Sequence, residues 1–211
     1  MRRTTELQTI LTVLFVAALM VSNVITSRQI LFPFGIAVSG GVMVFPITYV
    51  LSDVFSEVYG YRWSRITCYL AFAMNLLMVL VFTSVIKLPY PSFFEGADAF
   101  SMTLGNTPRV LLGSFTAFIM GDLVNDRVFR RMKMEHPDSL EGFGFRAILS
   151  SIAGELVDSA IFFPIAFMGQ MPPEAILTMA VIEVVMKVAY EVAILPFTRY
   201  VAGRVATLEA T

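Results

Sequence analysis

The residues of this chain with the clearest potential for chemistry are charged side chains that interrupt long apolar segments. They occur in three groups whose members are three or four positions apart, namely Asp53 with Glu57, Glu155 with Asp158, and Glu183 with Lys187 and Glu191. Residues at these spacings share one face of a helix. The spacing therefore predicts three helices that each carry a polar stripe, and the simplest arrangement directs all three stripes towards one cavity.

The composition indicates that these charges lie in a membrane. Of the 211 residues, 57% are hydrophobic and 15% are charged, and the mean hydropathy is +0.76. Soluble domains carry about 25% charged residues, and a chain of this length cannot hide so much apolar surface in its own core. A charge at the centre of a membrane helix costs ~2.5–3.5 kcal/mol. We therefore expect the charged stripes to face the protein interior or a wet cavity.

Apolar segments of roughly the 20 residues needed to cross a bilayer occur repeatedly, and they predict an all-α bundle of six transmembrane helices in one domain, residues 1–211. The expected spans are Leu7–Ser27, Phe34–Val58, Ile66–Ile86, Val110–Phe129, Ala147–Met168 and Ala175–Phe197. A cleaved signal peptide is the alternative for the first segment, but its length and the five further segments favour an uncleaved span. Pro46, Pro164 and Pro196 fall within or near the ends of spans, where a proline either kinks a helix or breaks it beside a transport site.

Lysine and arginine are distributed unequally between the two sides of this bundle. The side that holds both termini would carry Arg2, Arg3, Arg62, Arg65, Arg127, Arg130, Arg131, Lys133, Arg146, Arg199 and Arg204. The opposite side would carry only Arg28, Lys87 and Arg109. The positive-inside rule therefore predicts a multi-pass protein of the inner (cytoplasmic) membrane with both termini in the cytoplasm.

The residues expected to line the cavity are acids, an amide, a tyrosine and two basic residues. They are Tyr49, Asp53, Glu57, Asn75, Arg109, Asp122, Glu155, Asp158, Lys187 and Glu191, with Asn23 and Asn125 as further candidates. Structural roles compete with this interpretation. The ladder of Glu183, Lys187 and Glu191 could be a set of ion pairs within one helix, and Asp53 and Glu57 could lie at the cytoplasmic end of a span. Glu155 and Asp158 are hardest to explain structurally, because they lie near mid-span with no cation on their own helix.

The sequence offers little for catalysis or for metal binding. Cys68 is the only cysteine and His136 the only histidine, so no His/Cys metal cluster can form and we predict no metal and no cofactor. Neither a GxxxxGK[ST] phosphate loop nor an HExxH zinc motif occurs. The net charge of -1 gives no reason to expect a nucleic-acid partner. We therefore predict that the chain is not an enzyme.

Four ordered stretches resemble the signature of the queuosine precursor transporter family, also called the vitamin-uptake-like transporters. They are FPITYVLSDVFSEVYGYRWSR (45–65), PRVLLGSFTAFIMGDLVNDRVF (108–129), SSIAGELVDSAIFFPIAF (150–167) and MKVAYEVAILPFTRY (186–200). The sequence departs from the family pattern at Asp122 and Asn125, where Gln and Asp are common, and at Glu155, where an amide is common. These positions would affect which ligand is preferred.

The resemblance implies a six-helix bundle similar to the substrate-binding subunits of vitamin importers, and uptake of 7-cyano-7-deazaguanine, 7-aminomethyl-7-deazaguanine or queuine. A carboxylate can accept the paired N–H groups of a guanine-like edge, and aromatic side chains can stack on its rings. Buried acids can also exchange protons, so we expect proton-coupled uptake. The expected partners are this small-molecule substrate, the lipid membrane and, as a homodimer, a second copy of the chain.

Three other functions remain compatible with the residues. The first is a membrane subunit that captures substrate for a separate ATPase. The second is an intramembrane enzyme, which would need two facing acids that share a proton, an arrangement that Asp53 and Glu57 on one helix imitate poorly. The third is an assembly scaffold, which would have little use for so many buried acids.

Overall fold

A computed structural model of the chain describes residues 5–32, 35–135 and 140–209. Its elements in chain order are α1 (Glu6–Ile25), the strands β1 (Gln29–Phe32) and β2 (Ile36–Ser39), a 3-10 turn (Gly40–Met43), α2 (Phe45–Val54), a π turn (Phe55–Tyr59), α3 (Tyr61–Ile86), α4 (Ala97–Leu104), α5 (Thr107–Glu135), α6 (Leu140–Phe167) and α7 (Pro173–Glu209). The predicted helical fold is confirmed, with one small two-stranded sheet in addition.

Among the described residues, three helices are long and apolar enough to cross a membrane. They are Glu6–Ile25, Tyr61–Ile86 and, within α6, Ile148–Phe167, and no more than 28% of the apolar window of any of them is buried inside the protein. Helices whose apolar side chains mostly face outwards need an apolar solvent, which the bilayer supplies. Helices α5 and α7, with 29 and 37 residues, also have the length to cross but carry several charges.

The predicted spans differ from the helices mainly at their ends. Helices α5, α6 and α7 extend beyond the predicted fourth, fifth and sixth spans, except that α6 ends one residue earlier, at Phe167. Pro164 and Pro196 lie inside α6 and α7, which continue through them. The connection from Lys87 to Arg109 contains α4, a helix that the hydropathy pattern does not predict. Phe34 and His136 lie outside the described residues, and the number of crossings and the side of the termini stay predictions.

The prediction of one continuous second span, Phe34–Val58, is wrong. Its first half contains β2 and the 3-10 turn, and helical structure resumes only at Phe45 and ends at Tyr59. At 1.5 Å per residue that helix is about 22 Å long, shorter than the ~30 Å of bilayer hydrocarbon. A glycine and a proline explain why the predicted span is broken. A Cβ on Gly40 would lie 2.4 Å from the carbonyl oxygen of Ile25, and Pro46 occupies the first turn of α2.

The chain forms two compact units, of which the first comprises Met1–Ile30, Ser39–Leu111 and Tyr190–Thr211. Two hydrophobic clusters in this unit hold the short helix α2. Phe15, Leu51, Phe55 and Ala71 join it to α1 and α3, and Val50, Val54, Ala202 and Val205 join it to the end of α7. The rings of Phe15 and Phe55 meet edge to face with their centroids 5.9 Å apart. Two faces of α2 are thereby packed against three other helices, α1, α3 and α7.

The second unit comprises Leu31–Val38 and Leu112–Ala189, and so contains most of α5, all of α6 and the first part of α7. Helices α5 and α6 pack closely along a row of small residues on α5, namely Gly113, Ala117 and Gly121. A Cβ on Gly121 would lie 3.0 Å from the carbonyl oxygen of Gly154. Small residues four apart let membrane helices approach to backbone contact, and this close approach sets the position of the charged face of α6.

Candidate functional site

The central feature of the second unit is a lysine on α7 that pairs with two acids on α6. The Nζ atom of Lys187 lies 2.8 Å from Oδ2 of Asp158 and 2.9 Å from Oε2 of Glu155. The contact with Asp158 is also a hydrogen bond in which the lysine donates, whereas the contact with Glu155 is an ion pair by distance alone. We name Glu155, Asp158 and Lys187 the acid–lysine cluster.

The local fold explains why these three side chains meet. Glu155 and Asp158 are three residues apart on α6 and therefore share a face. Helix α6 ends at Phe167, and a tight turn follows in which Gly169 has a φ of +82° and the N–H of Gln170 donates to the carbonyl oxygen of Phe167. A left-handed φ of this kind suits glycine. The turn sends α7 back along α6, so that Lys187 reaches the acidic face.

The acid–lysine cluster is partly open. The side chain of Lys187 is 11% exposed, and those of Glu155 and Asp158 are 22% and 25% exposed. Two carboxylates share one ammonium group, so the ionised cluster keeps one net negative charge. Charges away from water are costly unless they are paired, and the lysine offsets much of that cost. A reachable cluster with a residual negative charge can accept N–H donors or bind a cation.

This geometry adds partners on a second helix to the interpretation of Lys187 as a lysine held by acids of its own helix, and that interpretation stays a prediction. Its counter-charges include Glu155 and Asp158 of the neighbouring helix. Glu183, one turn earlier on α7, is 1% exposed and is among the largest fully buried side chains of the described residues. The predicted fifth span, Ala147–Met168, carries no cation, but Glu155 and Asp158 have one nearby because α7 supplies Lys187.

Helix α5 borders the acid–lysine cluster through Gly121. A Cβ on Gly121 would lie 3.2 Å from Cβ of Asp158, and a Cβ on Gly154 would lie 3.0 Å from Cβ of Asn125. The predicted lining residue Asp122, which is half-buried, follows Gly121 directly on α5. The backbone of α5 thus packs directly against Asp158 and limits where its side chain can lie.

Four other predicted site residues lie in the first unit. Tyr49 and Asp53 are on α2, Glu57 is in the π turn, and Glu191 is on α7, with Tyr49 half-buried and the three acids exposed. Asp53 and Glu191 are close enough for their charges to interact. A π turn often marks a functional position, and here it contains Glu57, the second acid of the stripe that begins with Asp53 on α2.

The last two predicted site residues, Asn75 and Arg109, differ in accessibility. Asn75 is 0% exposed; its amide donates to the carbonyl oxygen of Ala71, and its oxygen accepts from Nδ2 of Asn23 at 2.8 Å. It therefore clamps α1 to α3, and a ligand would reach it only if these helices separated. Arg109 is exposed in the first turns of α5.

The structure brings some of the predicted site residues together in two groups, one in each unit. Glu155, Asp158 and Lys187 meet in the second unit, and Asp53 interacts with Glu191 in the first. One cavity shared by all ten predicted residues stays a prediction. Across the described parts of the chain, no three acidic, histidine or cysteine side chains converge closely enough to hold a metal ion.

An outward-facing apolar surface, helices of membrane length and a paired cluster of intramembrane charges define a multi-pass helical membrane protein. Comparison with known proteins assigns the chain to a family within this class. The family described as "Putative vitamin uptake transporter" matches residues 39–201, and the chain belongs to this family of membrane transporters. It is 27% identical over 165 residues to the "Probable queuosine precursor transporter" of Bacillus subtilis (strain 168), which covers 78% of this chain and 71% of that protein. No solved structure matches the chain. The resemblance seen in the four sequence stretches is thereby confirmed.

Proposed function

We propose that the chain imports a queuosine precursor across the cytoplasmic membrane, the substrate being 7-cyano-7-deazaguanine, 7-aminomethyl-7-deazaguanine or queuine. Membership of a transporter family supports transport, and the name of the Bacillus subtilis relative supports this class of substrate. We also propose six crossings with both termini in the cytoplasm, because the lysine and arginine residues are concentrated on that side.

The observation that carries this proposal is the acid–lysine cluster. A 7-deazaguanine presents a ring N–H and an exocyclic NH2 group side by side, and one carboxylate can accept both. The contacts with Lys187 use one oxygen each of Glu155 and Asp158. A ligand would bind either to the second oxygen of a carboxylate or in place of the lysine. Ionisable residues at membrane depth most often serve function, because their insertion is costly.

We propose further that the cluster favours a cationic base. With Lys187 paired, one negative charge remains uncompensated among the two carboxylates. The ammonium group of 7-aminomethyl-7-deazaguanine or of queuine would neutralise it, whereas the cyano base carries no cation to do so. Charge-assisted hydrogen bonds of this kind are roughly twice as strong as neutral ones.

Proton coupling is proposed to act through the same residues. Protonation of Asp158 would abolish its attraction for the ammonium group that now lies 2.8 Å away, and would loosen α6 from α7. Asp53 and Glu191 are the proposed residues for proton release towards the cytoplasm. A partner ATPase and downhill entry followed by trapping in tRNA are the competing energy sources.

The experiment that tests the proposed function is a binding series on the purified full-length protein. We expect the three bases to bind more tightly than guanine, with the aminomethyl base and queuine ahead of the cyano base, by isothermal titration calorimetry. Light scattering on the same sample reports whether the protein is a homodimer. Chemically altered base recovered after incubation would favour the intramembrane enzyme. Absence of binding by all three bases to a folded, monodisperse sample would contradict the proposal.

A further inference from the structure

The connection between α3 and α4, together with α4 itself, presents a group of large apolar side chains to the outside of the protein. Phe93 is 84% exposed, and the other members of the group are also exposed. We name these residues the aromatic loop: Leu88, Tyr90, Phe93, Phe94 and Met102. The loop belongs to the first unit, and none of its residues takes part in the candidate site.

The exposed apolar surface of the aromatic loop continues that of α3. Leu77, Leu80, Val81 and Val85 point outwards from this membrane-length helix. Helix α3 ends at Ile86, and Leu88 follows after the exposed Lys87. The apolar surface that faces lipid along α3 therefore extends beyond the helix end into the loop.

The loop and α4 also bury little surface within the chain, although α4 contacts α3. Helix α4 has 8 residues and none of them is buried, whereas isolated helices shorter than roughly 12–15 residues are marginal in water. The loop is nevertheless ordered locally, because the rings of Tyr90 and Phe94 meet edge to face with centroids 6.3 Å apart. Exposed Glu95 and Asp98 provide a polar edge to the same segment.

We propose that the aromatic loop inserts into the headgroup region of the bilayer at the end of α3, and that lipid is its partner. Tyrosine and other aromatic rings favour this depth, since they combine an apolar body with a polarisable or polar edge. The continuity with the outward-facing apolar surface of the membrane-length helix α3 favours the lipid interface over a second copy of the chain. This inference does not depend on the substrate of the transporter.

Depth-dependent fluorescence quenching in bilayers tests the proposal. Phe93→Trp is a conservative change at an exposed position, and the signal of the native Trp63 is subtracted by using the unsubstituted protein. We expect blue-shifted emission from Phe93→Trp that falls several-fold with lipids brominated near the headgroup, falls much less with lipids brominated near the chain ends, and responds little to iodide in the water.

The matched control is Leu77→Trp, which replaces an outward-facing residue near the middle of α3. About 9 residues separate it from the helix end, or roughly 14 Å at 1.5 Å per residue, so bromines near the chain ends should quench it most. Strong quenching of Phe93→Trp by iodide, without quenching by brominated lipid, would place the loop in water and overturn the proposal. A signal that resists both quenchers and changes with the protein-to-lipid ratio would overturn it in favour of a second copy of the chain.

Discussion

The ammonium group of Lys187 on α7 lies 2.8 Å from the carboxylate of Asp158 on α6 and donates a hydrogen bond to it. This contact joins two helices through a cluster that is only partly open to solvent. It also leaves the ionised cluster with one net negative charge, because one lysine pairs with two acids.

Lys187→Met should lower the thermal stability of the purified protein, because it leaves Glu155 and Asp158 without their cation. Breaking a buried ion pair costs about 3–5 kcal/mol, and we expect roughly 1–3 kcal/mol here because the cluster is partly open. Adding Asp158→Asn to Lys187→Met should recover part of the loss. Thermal melts of the single and double variants check this.

The control for that prediction is the pair Lys187→Met with Glu183→Gln. It tests whether an acid on α7 itself is the main partner of the lysine. If Glu183→Gln restored more stability than Asp158→Asn, the contact across the two helices would not be the dominant one.

Gly121→Ala should impair transport beyond its effect on stability. The added methyl group would lie 3.0 Å from the carbonyl oxygen of Gly154 and 3.2 Å from Cβ of Asp158, so Asp158 must shift. Overpacking of a close contact costs about 1–3 kcal/mol. We expect a raised KM for uptake in proteoliposomes, measured on protein that is shown to be folded.

Two glycines serve as controls for Gly121. Gly113→Ala crowds the same helix pair, with its methyl group 3.2 Å from the ring of Phe162, and Gly203→Ala meets nothing within 4 Å. Gly113→Ala should lower stability with little change in KM, and Gly203→Ala should change neither. An equal rise in KM for Gly113→Ala and Gly121→Ala would show that helix packing in general, and not the position of Asp158, is what matters.

Reporter fusions test the proposed topology. A fusion after Arg131 and one after Arg204 should give cytoplasmic signals, and one after Gly96 an external signal, because the basic residues are concentrated on the side of the termini. Paired alkaline phosphatase and green fluorescent protein reporters measure this. A cytoplasmic signal at Gly96 is incompatible with six crossings.

Proton coupling predicts that initial uptake into proteoliposomes rises as the external pH falls below the internal pH. The reason is that external protons would neutralise the carboxylates during loading and be released inside. A protonophore should abolish the rise. Uptake that ignores both the pH gradient and the membrane potential would reject coupling and leave facilitated diffusion.

Hydropathy and charge spacing predicted the helical fold and grouped Glu155 with Asp158 on one face, because both depend on local periodicity. They failed at the second span, where Gly40 packs against the end of α1 and forces an extended segment. A sliding average of hydropathy does not register backbone contact of this kind. The short helix α4 was missed because its 8 residues are far fewer than a membrane-length apolar segment.

The partner of Lys187 could not be predicted from spacing, since spacing reports neighbours on the same helix only. The contact depends on how α6 and α7 face each other after the turn at Gly169. The row of Gly113, Ala117 and Gly121 was a readable signal of close helix packing. It would have indicated that α5 packs closely against another helix, but it would have identified neither α6 as that helix nor Asp158 as the residue next to Gly121.

Uptake of a labelled deazapurine tests the central claim most directly, in cells that cannot make queuosine precursors and receive this chain as the only added gene. The account predicts that label enters tRNA with the unsubstituted chain, and that Asp158→Asn and Glu155→Gln each reduce initial uptake about tenfold or more, since a hydrogen bond to a charged group contributes ~1.5–3 kcal/mol. Glu174→Gln, an exposed acid in the first turn of α7, should leave uptake unchanged. Normal uptake by both cluster variants at matched membrane levels, or no uptake by the unsubstituted chain, would contradict the account.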